Sequence, residues 1–136
     1  TMKCQLLPRF FFNHIKDYDA EKTDRVEALL SKASDGKVQL VTSDLVLVEL
    51  IWVLESSYNM KPAEITPMIR AIMATPGMEV INGELMAGAL DHYEGKNIDI
   101  VDGHIAALMK KLNIIDVYSF DRKHLSRIGD LNRIEP

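Results

Sequence analysis

Residues 38–58, VQLVTSDLVLVELIWVLESSY, give the clearest indication of the fold. Its first five residues include β-branched Val and Thr side chains, which are typical of a short strand. Ser43 or Asp44 comes next, and both residue types favour the N-cap of a helix. The rest is rich in Leu and Val and contains no Gly or Pro, so it predicts a helix that reaches about Tyr58. A strand is thus predicted to lead directly into a largely apolar helix.

Short strands and helices alternate in the same way along the whole chain. Besides this stretch, strands are predicted near Cys4 and at 78–81, 117–120 and 133–135, and helices at 19–34, 61–75, 84–93 and 99–112. Strands separated by helices of this length imply crossovers and a parallel sheet that is covered on both faces. We therefore expect an α/β protein, a three-layer α/β/α arrangement around a short, mostly parallel central sheet. The 136 residues contain no repeat or linker and predict a single domain, residues 1–136.

The composition narrows the classes of function. With a formal net charge of −4, the chain does not fit a protein that grips nucleic acid through a cationic groove. An acidic protein can still process RNA if its carboxylates hold divalent cations, and it can equally offer an acidic pocket to a basic partner. Cys4 is the only cysteine, so no internal disulfide can form, which favours a reducing, cytoplasmic compartment. No apolar run approaches the roughly 20 residues that a membrane span requires.

Three acidic residues are candidates for a functional site. Glu49 interrupts an otherwise apolar helix, so water, a cation or a metal must face its carboxylate unless Glu49 lies at the rim of the helix. Asp102 lies in the first turn of a helix, where Asp is common, but it is free to point elsewhere if Asp99 is the N-cap. Asp121 follows the strand at 117–120, at the edge where open α/β sheets bind ligands, although turns also favour Asp.

Together the three acids form a stronger signal than each does alone. All are predicted near a helix start or strand end that faces one edge of the sheet. Clustered carboxylates repel one another unless a cation holds them, and an all-oxygen set suits Mg²⁺ or Mn²⁺ better than zinc. The histidines have no paired metal-ligand spacing and are interpreted as surface or internally satisfied residues: His14, His92, His104 and His124. The sequence also lacks Gly-rich phosphate loops and a GxSxG motif.

Three sequence blocks resemble a known family, the PIN domains of VapC-type toxins. These blocks are VTSDLVLVELIWVL at 41–54, NIDIVDGHIAA at 97–107, and VYSFD at 117–121. They are similar to the second, third and fourth blocks of that family, with Gly103 where Ala is commoner. Order and spacing agree over roughly residues 9 to 136.

The resemblance implies an endoribonuclease that depends on Mg²⁺ or Mn²⁺ and acts as the toxin of a toxin–antitoxin pair. Its substrate would be RNA, and its partners would be a cognate antitoxin and a second copy in a homodimer. By the family pattern, Glu49, Asp102 and Asp121 are expected to be catalytic, metal-binding acids, with Ser119 as the supporting hydroxyl.

The start of the chain departs from the family pattern. PIN domains usually carry an Asp on the first strand, and counting back from Arg9 places Lys3 there. The loss of this acid is expected to impair activity. Our hypothesis is that the ammonium of Lys3 takes the place of a metal and pairs with Glu49 and Asp102.

Two other functions remain open at this stage. The alternative is a non-catalytic module of the same fold, which presents an acidic pocket to a basic antitoxin segment. A phosphoacceptor receiver domain would need paired acids after the first strand, and the sequence has none there.

Overall fold

In the first part of the chain, pairs of helices separate successive strands. The computed structural model describes residues 2–16 and 20–136, without the side chains of residues 13, 14, 16 and 126. Residues cluster into two compact units, Thr1–Gly83 and Glu84–Pro136, called here the first and the second unit. The elements of the first unit are β1 (Met2–Gln5), α1 (Pro8–Lys16), α2 (Ala20–Ser34), β2 (Val38–Ser43), α3 (Asp44–Tyr58), α4 (Pro62–Met73) and β3 (Met78–Ile81). Asp19, the predicted start of α2, lies outside the described residues.

The first unit is built on a parallel sheet in the order β1-β2-β3. Cys4 pairs with Leu40 in the register of β1 and β2, and Leu40 pairs with Met78 in the register of β2 and β3. Helices connect these parallel strands and pack on them, because a parallel pair needs a long crossover. The predicted α/β class, with a parallel sheet flanked by helices, is confirmed.

The helix α3 supplies much of the core of the first unit. The hydroxyl of Ser43 caps it by accepting a hydrogen bond from the backbone N–H of Val46 at 3.3 Å. Its buried face carries Leu47, Leu50, Ile51 and Leu54, all with no exposed surface. Full burial of such a side chain stabilises the fold by about 1.5–3 kcal/mol, so this face holds α3 in place.

The second unit has its own small sheet and core. It contains most of α5 (Gly83–Gly95), then α6 (Ile100–Lys111), β4 (Asp116–Tyr118), a short 3-10 helix (Leu125–Arg127) and β5 (Asn132–Ile134). The strands β4 and β5 pair in parallel, with Asp116 opposite Asn132. Buried residues from α6 and the loops form a core beneath this sheet: Ile98, Ala106, Leu125 and Ile128.

The sequence did not indicate that β4 and β5 form a sheet of their own. The predicted strand at 117–120 is observed as β4, and the predicted edge strand at 133–135 is observed as β5. They pair with each other in a sheet distinct from that of β1, β2 and β3. None of the helices in the described part of the chain has the length and apolar character needed to cross a bilayer.

Candidate metal centre

The helix α6 presents Asp102 from its first turn. Asp99 is the N-cap, and its carboxylate accepts a hydrogen bond from the backbone N–H of Val101 at 2.8 Å. This confirms that capping does not require Asp102. The buried face of α6 carries Ile100, Gly103, Ala106 and Met109, and Asp102 lies beside it with its side chain 21% exposed.

The loop after β4 presents Asp121. The hydroxyl of Ser119 accepts a hydrogen bond from the backbone N–H of Asp121 at 3.0 Å. The Oδ1 atom of Asp121 accepts hydrogen bonds from the backbone N–H groups of Lys123 at 2.8 Å and His124 at 3.2 Å. Such local bonds between an Asp side chain and the backbone define a turn and fix the carboxylate within it. Ser119 therefore supports Asp121 through the backbone of the loop.

His124 brings the two acids together. Its Nδ1 atom lies 3.1 Å from Oδ2 of Asp102 and 3.9 Å from Oδ2 of Asp121. One ligand atom from each of the three residues lies within 4.8 Å of the other two. We call Asp102, Asp121 and His124 the carboxylate–histidine cluster. The structure thus brings together two of the three predicted acids, with Ser119 next to the second.

The two carboxylates of the cluster have different electrostatic surroundings. The backbone N–H groups of His124 and Lys123 hold the pKa of Asp121 below its usual value. Burial raises the pKa of Asp102, and this effect is larger than the lowering by the hydrogen bond from His124. Backbone donors therefore favour the charged form of Asp121, whereas burial disfavours the charged form of Asp102.

The donor set of the cluster fits a divalent cation. Metal–ligand bonds of about 2.0–2.3 Å place neighbouring ligand atoms roughly 3 to 4 Å apart. The distances from Nδ1 of His124 to the two carboxylate oxygens, 3.1 and 3.9 Å, match that spacing. Two carboxylates and one imidazole could therefore hold a metal without large rearrangement.

Glu49, the third predicted acid, belongs to the first unit. It lies on α3 and is exposed to solvent, as are Leu45 and Trp52 on the same face of the helix. The interpretation of Glu49 as a residue at the rim of the helix is confirmed, and its carboxylate needs no buried partner. Its role as a metal-binding acid stays a prediction.

The hypothesis about Lys3 needs a correction. Its ammonium lies 3.7 Å from Oε2 of Glu79 rather than beside Glu49, the predicted partner in the same unit. Lys3 sits on β1 opposite Gln39, and the amide of Gln39 also donates to Glu79. The strand continues to Gln5, so Lys3 lies before the carboxyl edge, where ligands bind in such sheets. It forms an exposed ion pair of small energetic value.

His124 is the residue that sequence analysis missed. We interpreted all four histidines as surface or internally satisfied residues, and His124 is a satisfied one, but its contact with the two acids was not predicted. A single His in a loop has no ligand spacing to reveal it. The one available signal was its position three residues after Asp121, within reach of the turn that this Asp forms.

Matches to a family model and to a solved structure cover most of the chain. The PIN domain family model matches residues 10–131, which include Asp102, Asp121 and His124. No curated protein matches the chain. Among solved structures, the chain is similar to the crystal structure of Mycobacterium tuberculosis VapC20, a toxin that cleaves the sarcin-ricin loop. The identity is 20%, the alignment covers 98% of this chain and 99% of that one, and the TM-score is 0.42. Since the family model spans most of its length, the chain belongs to the PIN domain family.

Proposed function

We propose that the chain is a metal-dependent endoribonuclease of the VapC toxin type, which hydrolyses RNA phosphodiester bonds at the carboxylate–histidine cluster. One observation carries the proposal: Asp102 from α6 and Asp121 from the loop after β4 lie together with ligand atoms at metal-binding spacing. Both acids belong to sequence blocks that resemble those of VapC-type toxins.

The two acids of the cluster would bind a cation under different electrostatic conditions. Backbone donors favour the charged form of Asp121, which is the form that binds a cation. Asp102 is less exposed, and a positive ion beside it would offset the effect of burial on its pKa. Bound there, Mg²⁺ or Mn²⁺ would supply an activated water and would stabilise the charge on the leaving oxygen. Glu49 is proposed as a further acid of the site, on the family pattern alone.

The partners follow from the same proposal. RNA is the proposed substrate, and a metal ion held by the carboxylates would offset the repulsion between a chain of net charge −4 and the phosphates. A cognate antitoxin, a homodimer and a cytoplasmic location remain predictions from the resemblance and the composition.

A second function is favoured by one specific feature. Residues 1–8, which include β1, contain no acid, so the first strand brings no carboxylate to the site. This absence favours either impaired cleavage or the non-catalytic module that presents its acids to a basic antitoxin segment.

Cleavage of single-stranded RNA separates these functions. We expect the purified chain to cut RNA in Mn²⁺, EDTA to stop the reaction, and Asp121→Asn and Glu49→Gln to reduce it at least tenfold. Asp116→Asn is the matched control, because Asp116 begins β4 and hydrogen-bonds to Asn132 at 2.9 Å, outside the cluster. Cleavage that survives EDTA or Asp121→Asn would exclude the proposed site. Tight binding of the antitoxin without any cleavage would establish the binding module instead.

A further inference from the structure

The two oxygens of Asp121 have different surroundings. The Oδ1 atom is occupied by the backbone N–H groups of Lys123 and His124. The Oδ2 atom is the one that lies near the imidazole, 3.9 Å from Nδ1 of His124. The turn therefore uses one oxygen for structure and leaves the other directed toward the cluster.

The imidazole of His124 faces both acids through a single nitrogen. Its Nδ1 atom lies 3.1 Å from Oδ2 of Asp102, so the same nitrogen is near one oxygen of each carboxylate. This nitrogen carries a proton when it donates to Asp102, and in the other neutral tautomer it has a free lone pair. A nitrogen near both oxygens is placed as a third ligand of an ion that the two acids share.

The local backbone holds His124 in this position. Its N–H donates to Asp121, and its carbonyl accepts a hydrogen bond from the N–H of Arg127 at 3.0 Å. Leu125, the next residue, is buried in the core of the second unit. The side chain of His124 is 25% exposed, which leaves it partly shielded from water. The imidazole is thus positioned before any metal binds, and binding loses little side-chain entropy.

We infer that His124 is a metal ligand, so that the site holds two carboxylate oxygens and one imidazole nitrogen and prefers Mn²⁺ to Mg²⁺. This inference rests on the proposed function and specifies its metal. Carboxylate and water oxygens suit Mg²⁺, whereas an imidazole favours transition metals, and Mn²⁺ accepts both kinds of ligand. An all-oxygen site, as the sequence alone suggested, would lack this preference.

Pulsed electron paramagnetic resonance of bound Mn²⁺ tests the inference directly. In the unaltered chain we expect a ¹⁴N coupling from a directly bound imidazole, which changes to the ¹⁵N pattern when the histidines are labelled with ¹⁵N. The labelling alters no side chain, so the result does not depend on a variant that folds. Mn²⁺ bound without any nitrogen coupling would overturn the assignment of His124 and leave the proposed ribonuclease intact.

Calorimetry with each metal provides the second measurement. His124→Asn replaces the imidazole nitrogen with an amide oxygen, so Mn²⁺ affinity should fall by about 10- to 100-fold while Mg²⁺ affinity changes far less. His92→Asn, on α5, is the matched control and should leave both affinities unchanged. Equal losses for the two metals would show that His124 only positions Asp102. An unaltered chain that binds neither metal would overturn both the inference and the metal dependence of the proposed function.

Discussion

At the scale of single residues, the turn from Ser119 to His124 is the most closely determined part of the site. Its side chains hold it in place: the hydroxyl of Ser119 accepts from the N–H of Asp121, and Asp121 accepts from two backbone donors. The hydroxyl of Ser119 therefore helps to position Asp121.

Replacement of Ser119 tests this role. In Ser119→Ala the N–H of Asp121 loses its acceptor, and a hydrogen bond of this kind is worth about 1 kcal/mol. We expect RNA cleavage to fall by roughly tenfold, because small displacements of a ligand are costly in catalysis. Ser119→Thr retains the hydroxyl and should stay near the original rate. Equal rates for the Ala variant and the unaltered chain would rule out the supporting role.

A second residue, His92, is expected to make the free energy of unfolding depend on pH. Burial, followed by the nearby charge of Lys96, lowers its pKa from the ordinary value of 6.5, while Asp130 and Asp91 act in the opposite direction. As pH falls below about 6.5, the unfolded chain takes up a proton more readily than the folded one, so His92 makes the fold less stable. The loss of stability is complete once the pH is below the lowered pKa of His92 in the folded chain. Above 6.5 both states are neutral at this residue, and its contribution is zero.

Urea unfolding of His92→Gln at pH 7.5 and pH 5.5 measures this effect. The variant should lose less stability than the unaltered chain between the two pH values, since its side chain cannot titrate. An identical loss in both proteins would show that burial of His92 does not control the pH response.

At the scale of elements, close packing of α5 and α6 explains a departure from the family pattern. In the PIN domains of VapC-type toxins, Ala is commoner than Gly at the position of Gly103. A Cβ atom added there would lie 2.8 Å from the backbone carbonyl oxygen of Ala89 on α5. Backbone cannot yield as a flexible side chain can, so the contact requires glycine in spite of its low helix propensity.

A larger residue at position 103 is predicted to lower the stability of the chain. Gly103→Ala should destabilise the chain by roughly 1–3 kcal/mol, because the overpacking outweighs the gain in helix propensity. Gly95→Ala is the control, since a Cβ at Gly95 meets no atom within 4 Å, and it should leave stability unchanged or slightly raised. Denaturant midpoints compare the two variants. A stabilised Gly103→Ala would mean that α5 and α6 are farther apart than observed.

The elements differ in how far the sequence could predict them. The bounds of α3 follow from local signals, the cap at Ser43 and an uninterrupted run of helix-compatible residues. The acids Asp102 and Asp121 could be selected because each follows a recognisable start or end of an element. The pairing of β4 with β5 and the approach of His124 to Asp102 join residues 16 and 22 positions apart, and neither leaves a periodic pattern in the sequence. The ion-pair partner of Lys3 was predicted wrongly because counting along the family pattern gives no information on which side chain of β3 lies nearby.

At the scale of the whole molecule, residues cluster into two compact units. That residues 1–136 form a single domain stays a prediction. Each unit has a sheet and buried side chains of its own. We expect the chain to unfold cooperatively, because a separate unit as short as Glu84–Pro136 buries little apolar surface.

Native-state hydrogen exchange measures this cooperativity. The slowest amides of α3, in the first unit, and of α6, in the second, should exchange with the same free energy of opening and the same dependence on denaturant. If α6 opens at a much lower free energy than α3, the units unfold separately and the single-domain prediction fails.

Anomalous X-ray scattering from crystals grown with Mn²⁺ would show whether Asp102, Asp121 and His124 form one metal site. We expect one strong manganese peak within about 2.3 Å of a carboxylate oxygen from each acid and of the imidazole nitrogen. An ordered cluster without manganese, or a peak bound by other residues, would contradict it.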